Sequence, residues 1–184
     1  GFRLAADAAR RTLGTRPAGQ AGYAALVADG RWLSDTDLDL QPAGEPCDTR
    51  ALPTWGRGAS VRLFVDFASP HSRAAFFMLQ QRGGPAVTMQ LVPLREKSPS
   101  ALAFLAAAAM GHGPAMASKL FQADTPDDAA TLRAIASQLH IPGAAFQTAQ
   151  GSAATRAALA TVATCRAALA MGDDPVVYLG QQLY

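Results

Sequence analysis

The chain has 184 residues, 49% of them hydrophobic and 16% charged, with a formal net charge of +2 at pH 7. That length suits one domain with a sizeable core, and the sparse, scattered charges argue against a nucleic-acid partner. No apolar run approaches the roughly 18 residues that span a bilayer, so no membrane span is expected.

In chain order, residues 1–57 read differently from the rest. Phe2 to Leu13 has helical spacing and stops at Gly14, and Arg16-Pro17-Ala18-Gly19 is a break. Tyr23 to Val27 is predicted as a second short helix closed by Asp29-Gly30. Leu38 and Leu40 alternate with Asp37, Asp39 and Gln41 as a short strand. Pro42, Gly44, Pro46 and Pro53 then mark an extended connector. This segment has two uses, packing on the domain or acting as a homo-oligomerisation arm. Isolated apolar residues (Phe2, Trp32, Trp55) rather than heptads favour packing. Gly1-Phe2-Arg3 is an odd start for a native gene and suggests a processed or trimmed chain, any signal peptide having been removed.

From Ser60 the pattern turns α/β. Val61 to Phe67 is a dense β-branched and aromatic strand. Arg73 to Gln81 is a helix ending at Gly83-Gly84, and Ala86 to Leu94 is a second strand. A right-handed crossover makes these two strands parallel. Ser98 caps a helix with Pro99 at its first position, running to Met110 and stopping at Gly111. Pro114 opens another helix. Thr125-Pro126-Asp127-Asp128 reads as a further cap-plus-proline start, for a helix running to about His140 and broken by Ile141-Pro142-Gly143. Ser152 to Met171 is a final long helix, and Asp173-Asp174-Pro175 leads into the strand Val176 to Leu179.

Between the first strand and first helix stands Ser69-Pro70-His71-Ser72. A helix N-terminus fed by a buried strand is electropositive and can stabilise a thiolate. In DsbA-type disulfide oxidases this slot reads Cys-Pro-His-Cys, and the chain resembles them with both sulfurs replaced by oxygen. The resemblance covers residues 58–184 and rests on Phe67-Ala68-Ser69-Pro70-His71-Ser72, on Val92-Pro93-Leu94 and on Gly172-Asp173-Asp174-Pro175. It implies an α/β thioredoxin fold with a helical insertion at about 98–171 and an N-terminal extension over 1–57. It also implies one more strand and a C-terminal helix beyond Tyr184, so that end is expected to be either truncated here or missing from the gene.

Ser69 and Ser72 cannot substitute for the thiolate attacker and leaving group of disulfide exchange. Either they cap the helix or they contact a ligand. His71, which in the oxidases stabilises the thiolate, is expected to be a partly exposed polar residue. Strand alternation turns Asp66 away from the motif, so a Ser-His-Asp triad is not supported. Leu63 stands six residues before Ser69, where many thioredoxin-like oxidoreductases carry a buried proton-relaying acid. The resemblance implies that Pro175 is cis and that Asp174, Pro175 and Val176 face the motif and pair with an extended peptide.

Three functions follow. The first is an exported, redox-silent DsbA-like protein that binds an extended client segment and needs no cofactor. The second comes from kappa-class glutathione transferases and 2-hydroxychromene-2-carboxylate isomerases, whose Ser-Pro-x-Ser motif after an Asp-Phe strand is also similar to Asp66 to Ser72. It makes glutathione the cofactor, Ser69 the partner of its thiolate, and the cytoplasm the location. The third is a disulfide oxidase with both cysteines exchanged for serine. Cys47 and Cys165, the only two cysteines, match no metal-ligand spacing and no metal is expected. They are either unpaired thiols or a structural disulfide of an oxidising compartment such as the periplasm.

Overall fold

The computed structural model describes residues 23–28, 31–32, 41–42, 48–57, 59–83, 87–169 and 176–179. The strands are β1 (Tyr23–Ala28), β2 (Arg31–Trp32), β3 (Gln41–Pro42), β4 (Thr54–Gly56), β5 (Ala59–Val65), β6 (Val87–Pro93) and β7 (Val176–Leu179). The helices are α1 (Pro70–Gly83), α2 (Pro99–Ala109), α3 (Gly113–Gln122), α4 (Ala129–Gln138), α5 (Gly143–Gln150) and α6 (Ala153–Leu169). The sheet runs β2-β1-β7-β5-β6-β4, with β3 also paired to β1.

β5 and β6 form the expected parallel pair, in register from Ala59 opposite Val87 to Val65 opposite Pro93, with α1 as the crossover. Val61, Leu63, Phe64 and Val65 are all buried, as are Met89, Gln90, Leu91 and Val92, so both central strands are covered on both faces. β7 runs antiparallel to β5 and β1 antiparallel to β7. α2 is the hub of the helical insertion: Ser100, Ala101 and Ala103 to Ala107 are buried, and it packs on α3, α5 and α6. Its small alanines let those helices approach closely, while Phe104 reaches toward the sheet and meets Phe67 and Trp55.

Four elements differ from the sequence reading. Tyr23 to Val27 is not a helix but most of β1. A helix so short is marginal in water, whereas the Asp-Gly pair between Ala28 and Arg31 is a two-residue hairpin signal, and Ala28 pairs with Arg31. β4 arises within the proline-marked connector, where Trp55 pairs with Met89. The helix expected from Thr125-Pro126 begins three residues later: Thr125 to Asp128 is a turn, closed by the Asp128 N–H to the Thr125 carbonyl at 3.1 Å. Asp128 is the cap, its carboxylate accepting from the Thr131 N–H at 2.8 Å. That helix ends at Gln138, with His140 at φ 54 and the Ile141 N–H returning to the Ala136 carbonyl at 2.9 Å. α5, lastly, is additional to the expected helices; it has no side-chain cap to announce it. The Phe2 to Leu13 helix, Leu38, Leu40, Met171 and the end near Tyr184 lie outside the described residues.

Two consequences can be measured. Gly56 sits at φ 93, and a Cβ there would collide with the Val87 carbonyl oxygen, whereas Gly111 at φ 83 faces open space. Gly56→Ala is therefore expected to cost about 3 kcal/mol and Gly111→Ala about 1 kcal/mol, read as urea midpoints at constant slope. Equal losses would show that β4 moves off β6 without penalty. The Asp128 carboxyl lies below its ordinary value, chiefly through the Thr131 N–H. A depressed folded-state pKa stabilises above the unfolded value and fades as pH falls through the folded one. Asp128→Ala should thus lower the melting temperature at pH 7 and change it less at pH 3; an equal loss at both would assign the effect to something other than the cap.

Candidate functional site at the β5–α1 turn

β5 leaves the sheet at Val65, whose carbonyl accepts from the Leu94 N–H at 2.6 Å, so the two central strands end together. Asp66, Phe67 and Ala68 turn the chain. The Asp66 carbonyl accepts from the Ser69 N–H and its carboxylate from the Ala68 N–H, both at 3.0 Å. Ser69 is the helix cap: its Oγ accepts from the Ser72 N–H at 3.3 Å and its carbonyl from the Arg73 N–H at 3.0 Å. Pro70 at the first helical position has no N–H to leave unsatisfied.

The two serines differ in exposure. Ser69 is half-buried, whereas Ser72 is fully buried and its Oγ accepts from the Asp66 N–H at 3.0 Å. Among the described residues neither hydroxyl donates a hydrogen bond of its own. Ser69 therefore has a proton to offer a ligand, and Ser72 holds its own in the interior. His71 is half-buried on the first turn. The Asp66 carboxylate is engaged by the Ala68 N–H and by Arg95 at 3.5 Å, on neither serine, and no Ser-His-Asp triad forms from these contacts. Leu63 is fully buried in the core.

Opposite the motif, Val176 pairs with Phe64, so the chain enters β7 at the end of the sheet where β5 leaves it. Asp174, Pro175 and Cys47 lie outside the described residues. Cys165 is fully buried on α6 and disulfide-bonded.

This topology has a counterpart among known structures. The protein shares the DsbA-like thioredoxin fold. A thioredoxin-like oxidoreductase from Silicibacter pomeroyi superposes at a TM-score of 0.63, with 20% identity over 72% of this chain and 81% of that one. The thiol-disulfide exchange protein alpha-DsbA2 from Wolbachia pipientis gives 0.61, at 12% identity over 71% and 80%. The catalytic domain of Proteus mirabilis ScsC gives 0.59, at 16% identity over 71% and 78%. No protein-family model and no curated protein matches the sequence. Among the described residues, no group of side chains is suited to hold a metal and no helix is long and apolar enough to cross a membrane.

Sequence reasoning missed the polar groups around the turn. Arg95, just after β6, stands 3.5 Å from Asp66 and 4.0 Å from Asp127. Asp127 accepts from the Ser100 N–H at 3.0 Å and from its hydroxyl at 2.6 Å, so the acid expected on a first turn of α4 instead ties down the start of α2. Arg166 reaches Glu96 at 3.4 Å across 70 residues of chain. The Glu96 carboxyl lies below its ordinary value, first through its own N–H and then through Arg166. No local pattern announces pairs so distant in sequence.

Proposed function

We propose that the protein is an exported member of the DsbA-like group whose Ser-Pro-His-Ser turn carries out no dithiol exchange and instead holds an extended segment of a client protein. The observation that carries this is the pairing of a DsbA-like fold with oxygen at both positions of the turn, one half-buried hydroxyl at the helix start and one sealed beneath it. Exchange needs a thiolate to attack and a thiolate to leave, and Ser69 and Ser72 supply neither. The turn keeps a helix N-terminus and a hydroxyl free to donate, beside the end of the sheet where Asp174, Pro175 and Val176 precede and open β7. In this reading Pro175 is cis and the main chain near it pairs with the client by strand addition. The disulfide of Cys165 is made with Cys47, the only other cysteine, and suits an oxidising compartment.

One observation also favours the glutathione reading: the free proton of Ser69, which suits a bound thiolate at the helix start. Anisotropy with a labelled, cysteine-free extended peptide separates the two. Saturable binding that ignores dithiothreitol and is abolished by Ser69→Tyr supports the client groove. No binding, or binding indifferent to Ser69→Tyr, sinks it. Saturation by reduced glutathione alone transfers the site to the second reading.

A further inference from the structure

Beyond the motif turn, on the β6 side, lies a cavity of about 370 Å³ lined by Arg95, Glu96, Lys97, Ser98, Pro99 and Arg166. Three of these six side chains are cationic and one is a carboxylate. The cations are not equally engaged. Arg166 is paired with Glu96, and Lys97 is exposed with no ion pair among the described residues. Arg95 is the unusual one: 48% of its side chain is exposed and both its ion pairs run from Nη1, at 3.5 and 4.0 Å. Its guanidinium makes no hydrogen bond among the described residues, so Nε and Nη2 are uncommitted. A guanidinium presents a planar fork matched to two oxygens, and distances this long leave that fork unfilled. Asp66 and Asp127 hold Arg95 in place, because they belong to the motif turn and to the turn before α4, and its own main chain follows directly from β6.

The site is also within reach of the proposed groove. β7, β5 and β6 are neighbours in the sheet, so a chain crossing this end from the β7 side to Arg95 spans two strand spacings, about 10 Å. Three extended residues cover that distance. We propose that the cavity is a carboxylate subsite, in which Arg95, assisted by Lys97, receives an acidic side chain or a terminal carboxylate of the peptide lying across the Ser69–Ser72 turn. This rests on the peptide-binding reading and adds to it a preference for acidic ligands.

The test uses two fluorescein-labelled, cysteine-free, end-blocked peptides, identical except for one Glu or Gln, against the wild-type chain and Arg95→Gln. Arg95 is half exposed and its ion pairs are long, but the Asp66 side chain is only 13% exposed, so circular dichroism and a urea midpoint check that the variant folds. The wild type is expected to bind the Glu peptide about tenfold more tightly at low salt, with the advantage shrinking as salt rises. Arg95→Gln is expected to bind the two peptides alike. Equal affinities in the wild type, or a Glu preference that survives Arg95→Gln, overturn the subsite and leave the groove standing. If neither peptide binds, the groove reading fails, and N-acetylglutamate then interrogates the cavity directly. A saturable shift of the Arg95 Nε–H resonance keeps the carboxylate site, and no shift overturns it. Glutathione titrated the same way distinguishes a small anionic tripeptide from a client protein as the source of the carboxylate.

Discussion

Ser69→Cys/Ser72→Cys is expected to give the protein a working dithiol. Insulin reduction should rise from background to at least about tenfold above it. The geometry for this is already present. Position 69 is half-buried at the helix cap and suits an attacking thiol, and position 72 is sealed behind it and suits a resolving one. The start of α1 should draw the pKa of the thiol at position 69 below the free-thiol value of about 8.5. That thiol would attack an insulin disulfide and release one insulin thiol. The thiol at position 72 would then attack the mixed disulfide, release the second insulin thiol and close the ring, which added dithiothreitol reduces for the next turnover. The exchange at 72 should be tolerated by the fold: the Ser72 hydroxyl is buried, accepts one hydrogen bond from the Asp66 N–H and donates none among the described residues. A thiol of similar size is a weaker acceptor for that N–H and also a weaker unused donor, two small effects of opposite sign. Leu63 gives the buried thiol no carboxylate to exchange a proton with, which favours a slow enzyme over a fast one. A folded double variant whose thiols both titrate near the free-thiol value and which stays at background would show that this turn does not activate sulfur. The likeness to the oxidases would then reach the backbone and stop there.

The parts of this fold that could be read in advance are those where local signals agree with the tertiary partner. Val61 to Val65 is β-branched and aromatic because it is buried on both faces, and Ser98-Pro99 is a cap because the Ala101 N–H does bond the serine. The motif turn was legible for the same reason, since Ser69 before Pro70 is a helix start in any context. Elements were misread where a distant partner decides. Tyr23–Ala28 becomes a strand by lying on β7, some 150 residues away, and β4 exists because β6 offers an edge. Asp127 shows the same thing on a smaller scale: its spacing from Pro126 suits a first helical turn, but Ser100 captures it first. The charged surroundings of the site were invisible in sequence because they join residues 27 to 70 positions apart.

The largest loss of stability is expected from Phe121→Ala. Phe121 on α3 is 1% exposed and packs against Phe67 of the motif turn at 4.9 Å and Phe76 of α1 at 4.8 Å between ring centroids. Phe67 in turn meets Phe104 of α2 at 5.5 Å. This aromatic cluster is therefore the apolar joint between the sheet-borne turn and the helical insertion. Truncating it removes a buried ring and three ring contacts, the third with Phe77 at 6.5 Å, for about 3–5 kcal/mol, a large share of the roughly 5–15 kcal/mol that holds a typical domain together. Urea unfolding reads the total, and hydrogen exchange locates it: amides of α3 and of the turn should open before those of β5 and β6. Phe146→Ala supplies the contrast, because Phe146 is also buried but sits on α5, which packs chiefly on α2, α4 and α6. It should destabilise the insertion and leave exchange at Ser69 to Ser72 unchanged. If Phe146→Ala loosens the motif turn as much as Phe121→Ala does, the insertion and the turn move as one unit and the aromatic joint has no special part in holding the site. If only Phe121→Ala loosens it, the groove owes its shape to an apolar contact made beneath the polar residues that would bind the ligand.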